Sequence, residues 1–260
     1  MRAPRARAEW VGFSTIIIRE FNRIVRIWGQ TIVPPVVTAT LYFVIFGSLI
    51  GKRVGQVGGF DYMQFIAPGL IMMTVITNSY GNVVSSFFGA KFGKHLEELL
   101  VSPLPNWLIL TGYVAGGVLR GLLVGSVVTI VAFFFTRFTV MHGFAIISAV
   151  LLTSIVFALG GFINALFAKN FDQISWFPTF VLAPLTYLGG VFYSIKMLPP
   201  WALALSHANP ILYMVSAFRY GFLGTSDVDL RLAYAIMVSA VIVMFALAVF
   251  LLNRGTGIRD

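Results

Sequence analysis

Cysteine is absent from this 260-residue chain, which excludes disulfides, thiolate metal sites and a cysteine nucleophile, and leaves the redox compartment unreadable. Charge is scarce. Asp, Glu, Lys and Arg make up 10% of the residues against 58% hydrophobic ones, whereas an average soluble domain carries roughly 25% charged residues. Acidic groups are the scarcest, nine in all: Glu9, Glu20, Asp61, Glu97, Glu98, Asp172, Asp227, Asp229 and Asp260. All nine lie outside the long apolar runs, which argues against the intramembrane carboxylates common in proton- and sodium-driven carriers. A phosphate-binding loop is missing too. In Gly47 to Arg53 (GSLIGKR) the first glycine stands one residue too close, and Arg53 replaces the metal-binding hydroxyl. His95-Leu-Glu-Glu is not a zinc-protease motif, and Ser85, Ser86 and Ser154 have no evident base. The chain is read as no enzyme, with no ATPase site, no catalytic residue, no metal ligand and no cofactor of its own.

What remains is apolar, with a mean hydropathy of +0.91. Six runs, at about Thr31 to Gly51, Gln64 to Phe87, Leu108 to Phe134, Phe144 to Ala168, Phe177 to Ile195 and Leu232 to Leu252, reach the roughly 20 residues that cross a hydrocarbon core of about 30 Å. They are apolar on every face, so they predict helices rather than barrel strands. The expected class is an all-α membrane protein. Its domains are expected as a tail and interfacial helix over residues 1–28, a transmembrane domain over 29–253 and a short tail over 254–260. The net charge of +9 comes from basic residues scattered at span ends, a pattern of topology rather than of nucleic-acid binding. With both termini cytoplasmic, eleven Lys and Arg fall inside and six outside, following the positive-inside tendency. No signal peptide is expected, because Arg19, Glu20, Arg23 and Arg26 interrupt the first apolar run.

Residues 9–28 read as an amphipathic helix in the membrane interface. Trp10, Phe13, Ile17, Phe21, Ile24 and Trp28 form its apolar stripe, and Glu9, Arg19, Glu20, Arg23 and Arg26 fall on the other side. Pro34-Pro35 is expected in the first turn of span one, where proline is tolerated. Span three carries Gly112, Gly116, Gly117, Gly121 and Gly125, a spacing that lets another helix approach closely. Span five is weakened by Pro178, Pro184, Gly189 and Gly190. After it, Pro199-Pro200-Trp201, Ala202 to Leu205, Asn209-Pro210 and Ile211 to Phe222 make two helical pieces too short to cross, read as interfacial or re-entrant.

Arg120 is the one full charge deep in a span. A buried arginine costs at least about 2.5 kcal/mol on insertion scales, so it must face protein, water or a phosphate. It could attract an anionic headgroup, or bond carbonyls or the side chains of Asn78, Asn82 or Asn164. A charged island, Lys91 to Glu98, separates spans two and three. As a short helix it would turn Phe92, Leu96, Leu99 and Leu100 toward a cleft, with Lys91, Lys94, Glu97 and Glu98 at the periphery. By periodicity alone, an ordinary amphipathic loop fits equally well.

The stretches Gly93 to Trp107 (GKHLEELLVSPLPNW) and Gly189 to Gly224, with its glycine pair, L-P-P-W, N-P and R-Y-G-F-L-G, resemble the membrane subunit of ABC-2 type exporters, the permeases of the type V ABC architecture. The resemblance covers nearly the whole chain. It implies a six-span permease that pairs with a second copy, a homodimer in the simplest case, around a central pathway. Two copies of a separate ABC ATPase subunit would bind ATP and Mg beneath. It also implies a coupling helix at Gly93, Lys94, Glu97, Glu98, Leu99 and Pro103. Re-entrant helices capping the pathway would include Pro199, Pro200, Trp201, Asn209 and Pro210. Tyr42, Phe46, Asn78, Arg120, Tyr187 and Phe192 are the expected pathway residues.

The function expected from this is ATP-driven export of a drug or lipid across the cell inner membrane, with membrane lipids as further partners. A lipid-linked polysaccharide exporter is the alternative reading, and an ATPase-independent channel or carrier the third.

Overall fold

The computed structural model describes residues 5–93, 104–137 and 139–257. An amphipathic helix α1 (Arg5–Arg26) is followed, after a single turn residue at Ile27, by α2 (Trp28–Tyr42), which continues as a π-helical segment Phe43–Ile50 and ends in the short α3 (Gly51–Val54). Gln56–Val57 (β1) and Phe60–Asp61 (β2) then pair antiparallel. Their two-residue turn is Gly58-Gly59, with φ of 62° and 85°; positive φ at both central positions suits the twist of a tight hairpin, and glycine adopts it without a Cβ clash. This glycine-rich connection is a miniature hairpin in a largely helical chain.

Helix α4 (Tyr62–Phe92) is the central post, and α5 (Asn106–Phe135) and α6 (Gly143–Phe167) pack along it. The fifth apolar run is broken as its prolines predict. It comprises α7 (Phe171–Phe177), a π-helical segment Pro178–Leu182 and α8 (Ala183–Leu188), which ends in a turn at Gly190 with φ 71°. The two short pieces beyond it are α9 (Pro200–His207) and α10 (Pro210–Leu223), and α11 (Leu230–Arg254) closes the bundle. Polar side chains set these helix starts: Asn170, Asn209 and Asp229 accept from the backbone N–H of Gln173, Ile211 and Arg231, each satisfying a donor that would otherwise be orphaned.

Among the described residues, four helical stretches are long and apolar enough to cross a membrane: Trp28–Gly47, α5, α6 and α11. Helix α4, with 31 residues, reaches about 46 Å at roughly 1.5 Å per residue. Its apolar character is diluted by Thr74, Thr77, Asn78, Ser79, Asn82, Ser85 and Ser86. These polar residues are tolerable because α4 is surrounded: Ser79 and Asn82 are fully buried inside protein rather than facing lipid.

Two expectations need correction. Pro34 and Pro35 lie in the interior of α2, because the helix begins at Trp28 rather than Thr31. They deprive the Gln30 and Thr31 carbonyls of their in-helix donors. Glu20, expected on the polar side of α1, is buried with Ile16 and Ile24, while Trp10, Phe21 and Trp28 of the stripe lie on the protein surface. Helix α1 packs on α5, and that contact, not the apolar stripe alone, selects its buried side.

The glycines of α5 are where its neighbours come close. A Cβ at Gly117 would stand 2.6 Å from Val83 Cγ2, 2.9 Å from Ala158 Cβ and 3.0 Å from the Ser79 carbonyl. It would wedge α4, α5 and α6 apart at once. Gly117→Ala is expected to cost about 1–3 kcal/mol by overpacking, read as a lower thermal unfolding midpoint in detergent. Gly160→Ala, whose Cβ would meet Met244 at an ordinary 3.5 Å, is expected to leave the midpoint unchanged or higher.

Candidate functional site

The π-helical end of the first span, the C-terminal turn of α8 and the segment after Gly190 converge on one aromatic cluster. Phe192 is its hub, with ring centroids 5.8 Å from Tyr42, 4.8 Å from Phe46 and 5.9 Å from Tyr187. Tyr42 and Phe46 are themselves 5.9 Å apart. Offset and edge-on rings at these separations attract one another beyond simple burial. The Tyr62 hydroxyl donates to the Phe192 carbonyl at 3.1 Å and ties the cluster to the start of α4.

Tyr42 also lines a cavity of about 310 Å³ between α2, α4 and α5, together with Gln30, Thr74, Thr77, Asn78 and Arg120. All six predicted pathway residues thus fall into two adjoining groups that share Tyr42. Arg120 does not have the partners expected of it. Asn82 donates to Glu20 at 3.2 Å, Asn164 donates to the Tyr80 hydroxyl at 2.6 Å, and Asn78 donates to the Thr74 carbonyl at 3.0 Å. The Arg120 Nε is buried without a hydrogen bond. A second cavity of about 360 Å³ shares Thr77 and runs between α4 and the broken helix, past Tyr80, Gly81, Ser175 and Thr179. Thr77 therefore joins the two cavities along one side of α4.

The short helices α9 and α10 are fastened to the end of α8. Asn209 donates to the Leu185 carbonyl at 2.5 Å, Ser206 donates to the Leu188 carbonyl at 3.2 Å, and the Tyr213 hydroxyl bonds the His207 carbonyl at 2.8 Å. Pro199 precedes α9, Pro200 begins it, and Trp201 is exposed on it. Pro210 occupies the first turn of α10.

Arg219 is one of the six basic residues that the expected topology puts outside. In the fold it is buried, donating to the Phe65 carbonyl at 3.2 Å and to the Gly190 carbonyl at 2.6 Å. It also pairs with Asp227 at 3.4 Å and lies 3.9 Å above the Phe65 ring. The sequence signal was R-Y-G-F-L-G itself, an arginine inside an apolar run.

The other cluster that sequence reasoning missed lies where α1 crosses α4. Glu20, only 1% exposed, accepts from Ser86 and Asn82 and pairs with Arg23 at 3.3 Å. Arg23 in turn donates to the Asn82 side chain at 2.7 Å and backbone carbonyl at 2.9 Å, and Arg19 donates to the Tyr113 hydroxyl at 2.6 Å. An open cavity of about 700 Å³ lies beside this cluster.

Of the proposed coupling segment, Gly93 is exposed at the end of α4, and Lys94, Glu97, Glu98, Leu99 and Pro103 lie outside the described residues. Lys91 is not at the periphery. It donates to the Leu166 and Ala168 carbonyls at 2.7 and 2.8 Å, placing its cation at the negative end of α6. Phe92 packs against Phe88 and Phe171.

Comparison with known proteins now adds to this geometry. The family described as ABC-2 type transporter matches residues 11–223. An inner membrane transport permease, YadH, of Escherichia coli strain K12 is 55% identical over 251 residues, covering 96% of this chain and 98% of that protein. Nodulation protein J of Neorhizobium galegae is 23% identical over 218 residues, 82% of each chain. Nodulation protein J of Sinorhizobium fredii is 26% identical over 216 residues, 80% of each.

Proposed function

The chain belongs to the ABC-2 type transporter family, and on that premise we propose that it is the membrane-spanning permease subunit of an ATP-driven exporter. It moves a hydrophobic or amphipathic substrate, a drug or a lipid, out of the cytoplasm or the inner leaflet. A separate ABC ATPase, in two copies, binds ATP and Mg and supplies the energy, and a second permease copy completes the pathway. On this reading α4 and the α7–α8 stretch join the four apolar helices as the remaining two of six spans, with both termini cytoplasmic. Helices α9 and α10 are re-entrant and cap the outer end. The protein sits in the inner membrane, as its E. coli relative's name says of that protein.

The observation that carries the transport reading is the convergence at Tyr42. An aromatic wall from three separate segments meets a polar cavity that holds an intramembrane arginine with a buried, unbonded nitrogen. Charged groups within a span mark substrate pathways when water or ligand must reach them. Helices that meet through aromatic side chains and a proline-broken stretch can change packing between discrete states. The adjoining cavity is narrow, about 310 Å³, which favours a lipidic substrate over a polysaccharide that needs a wide, continuous route.

Energy enters at Gly93 to Pro103, where Glu97 and Glu98 contact the ATPase. The charge reversal Glu97→Lys with Glu98→Lys is expected to abolish substrate-stimulated ATPase activity or capture of the ATPase subunit in pull-down, while the permease still folds and inserts. Wild-type coupling in that double variant would show the segment to be an ordinary loop. Failure of any ABC ATPase to co-purify would return the chain to the channel or carrier reading.

A further inference from the structure

Charged side chains inside a bilayer are held by opposite charges, by carbonyls or by ligand. For Arg120 the first is missing: among the described residues lining its cavity none is acidic. The neutral groups nearby direct their own donors to the backbone of α4, and the Arg120 Nε has no hydrogen-bond acceptor among them. Thr74 donates to the Leu70 carbonyl at 2.9 Å, Thr77 to the Met73 carbonyl at 3.1 Å, and the Asn78 amide to the Thr74 carbonyl. These hydroxyls and amides make the cavity polar without neutralising it, and the guanidinium keeps a buried nitrogen without an acceptor. A desolvated donor left unpaired is costly, and more so when charged. An incoming anion relieves that cost.

The cavity, about 310 Å³, is at the small end of the range for ligand sites and has room for a headgroup. Its apolar lining includes Ala39, Leu70 and Met73, and its Tyr42 also belongs to the aromatic cluster. A charged head at Arg120 would therefore leave an apolar stem directed along Tyr42, Phe46 and Phe192. We propose that this cavity binds the anionic headgroup of a single-chain or lipid amphiphile, a phosphate, sulfate or carboxylate, and that Arg120 selects substrates by that charge. The inference rests on the exporter reading for its role in transport, but not for the binding itself.

Binding is tested on purified permease in neutral maltoside detergent by titrating dodecyl phosphate and octyl glucoside and following the thermal unfolding midpoint. Dodecyl phosphate is expected to stabilise the wild type. Arg120→Gln should raise its half-saturating concentration at least tenfold, Arg120→Lys should restore most of the loss, and the response to octyl glucoside should not change. Nanodiscs separate two sources of the anion. If phosphatidylglycerol competes with dodecyl phosphate in wild type and not in Arg120→Gln, the ligand arrives from the bilayer. If it does not compete while the Arg120 dependence holds, the ligand arrives as a free amphiphile. Either result supports the site. Equal responses of wild type and Arg120→Gln to dodecyl phosphate, or equal losses for the charged and the neutral probe, overturn it. In vesicles with the ATPase subunit, Arg120-dependent binding without any ATP-driven movement removes the exporter reading and leaves the site. ATP-driven movement with no preference for the anion and no effect of Arg120→Gln does the reverse.

Discussion

Arg219→Leu is expected to destabilise the protein by about 3–5 kcal/mol, the usual loss when one partner of a buried ion pair is removed, lowering the thermal midpoint by roughly 10 °C. The side chain holds together parts of the chain that are distant in sequence. Its Nε bonds the Phe65 carbonyl in the first turn of α4, one terminal nitrogen bonds Gly190 in the turn after α8, and the other faces Asp227 before α11. Leucine fills part of the volume but leaves two carbonyls and a carboxylate facing an apolar side chain. Asp227 keeps one donor, the Ser194 hydroxyl at 2.8 Å, which is too little for a carboxylate that is itself nearly buried. Arg219→Lys supplies a compact ammonium that cannot span all three acceptors and is expected to fall between wild type and leucine. Adding Asp227→Asn to Arg219→Leu should recover part of the loss by removing the unpaired charge. A leucine variant as stable as wild type would mean that Arg219 is solvated and the lock absent. Because Arg219 is held by the Gly190 carbonyl and Asn209 by the Leu185 carbonyl, both at the end of the broken fifth run, the same variant is expected to loosen α9 and α10, read as faster proteolysis between Pro199 and Asp229.

The contrast between Arg219 and Arg120 shows what the sequence could and could not tell. Both are arginines in apolar surroundings, but Arg120 sits within a span too long to be anything else, whereas the run around Arg219 is too short to cross and reads as an interfacial or re-entrant helix, with its arginine on the outside. Apolar length located the helices, and Pro178 and Pro184 located the break in the fifth. The glycines of α5 announced close packing, and the approach of Val83, Ala158 and Ile16 to them is its structural form. What periodicity could not reveal was which polar residue of α1 is buried. A charged face at helical spacing normally means solvent, and only tertiary contact reverses that. Besides the local Arg23, the partners of Glu20 are 62 and 66 residues away on α4, beyond any local pattern. The proposed pathway residues were chosen singly; that Tyr42 joins an aromatic wall to the Arg120 cavity is a fact of packing between α2, α4 and α5.

Glu20→Ala is expected to cost about 3 kcal/mol, the lower end of the range for a broken buried pair, because Arg23 remains partly exposed and can reach water. The carboxylate receives donors from Ser86, Asn82 and Arg23 at once, and removing it strands all three at the crossing of α1 and α4. Its room is made by Gly116 of α5, where an added Cβ would lie 2.8 Å from the Glu20 Cβ and Cγ. Two independent routes therefore lead to the same damage. Glu20→Ala removes the charge, and Gly116→Val displaces it with the charge intact. A double-mutant cycle between Glu20→Ala and Arg23→Ala should show an interaction energy of about 1–3 kcal/mol, as expected for groups in one network, so the double variant should be more stable than the sum of the single losses predicts. If α1 transmits motion to the spans, the three variants should also lose transport while the ATPase subunit still hydrolyses ATP, so substrate moved per ATP falls with the unfolding midpoint. Glu20→Ala at the wild-type midpoint, with strictly additive losses in the cycle, would mean that the carboxylate is hydrated and that α1 is held by Ile16 and Ile24 alone.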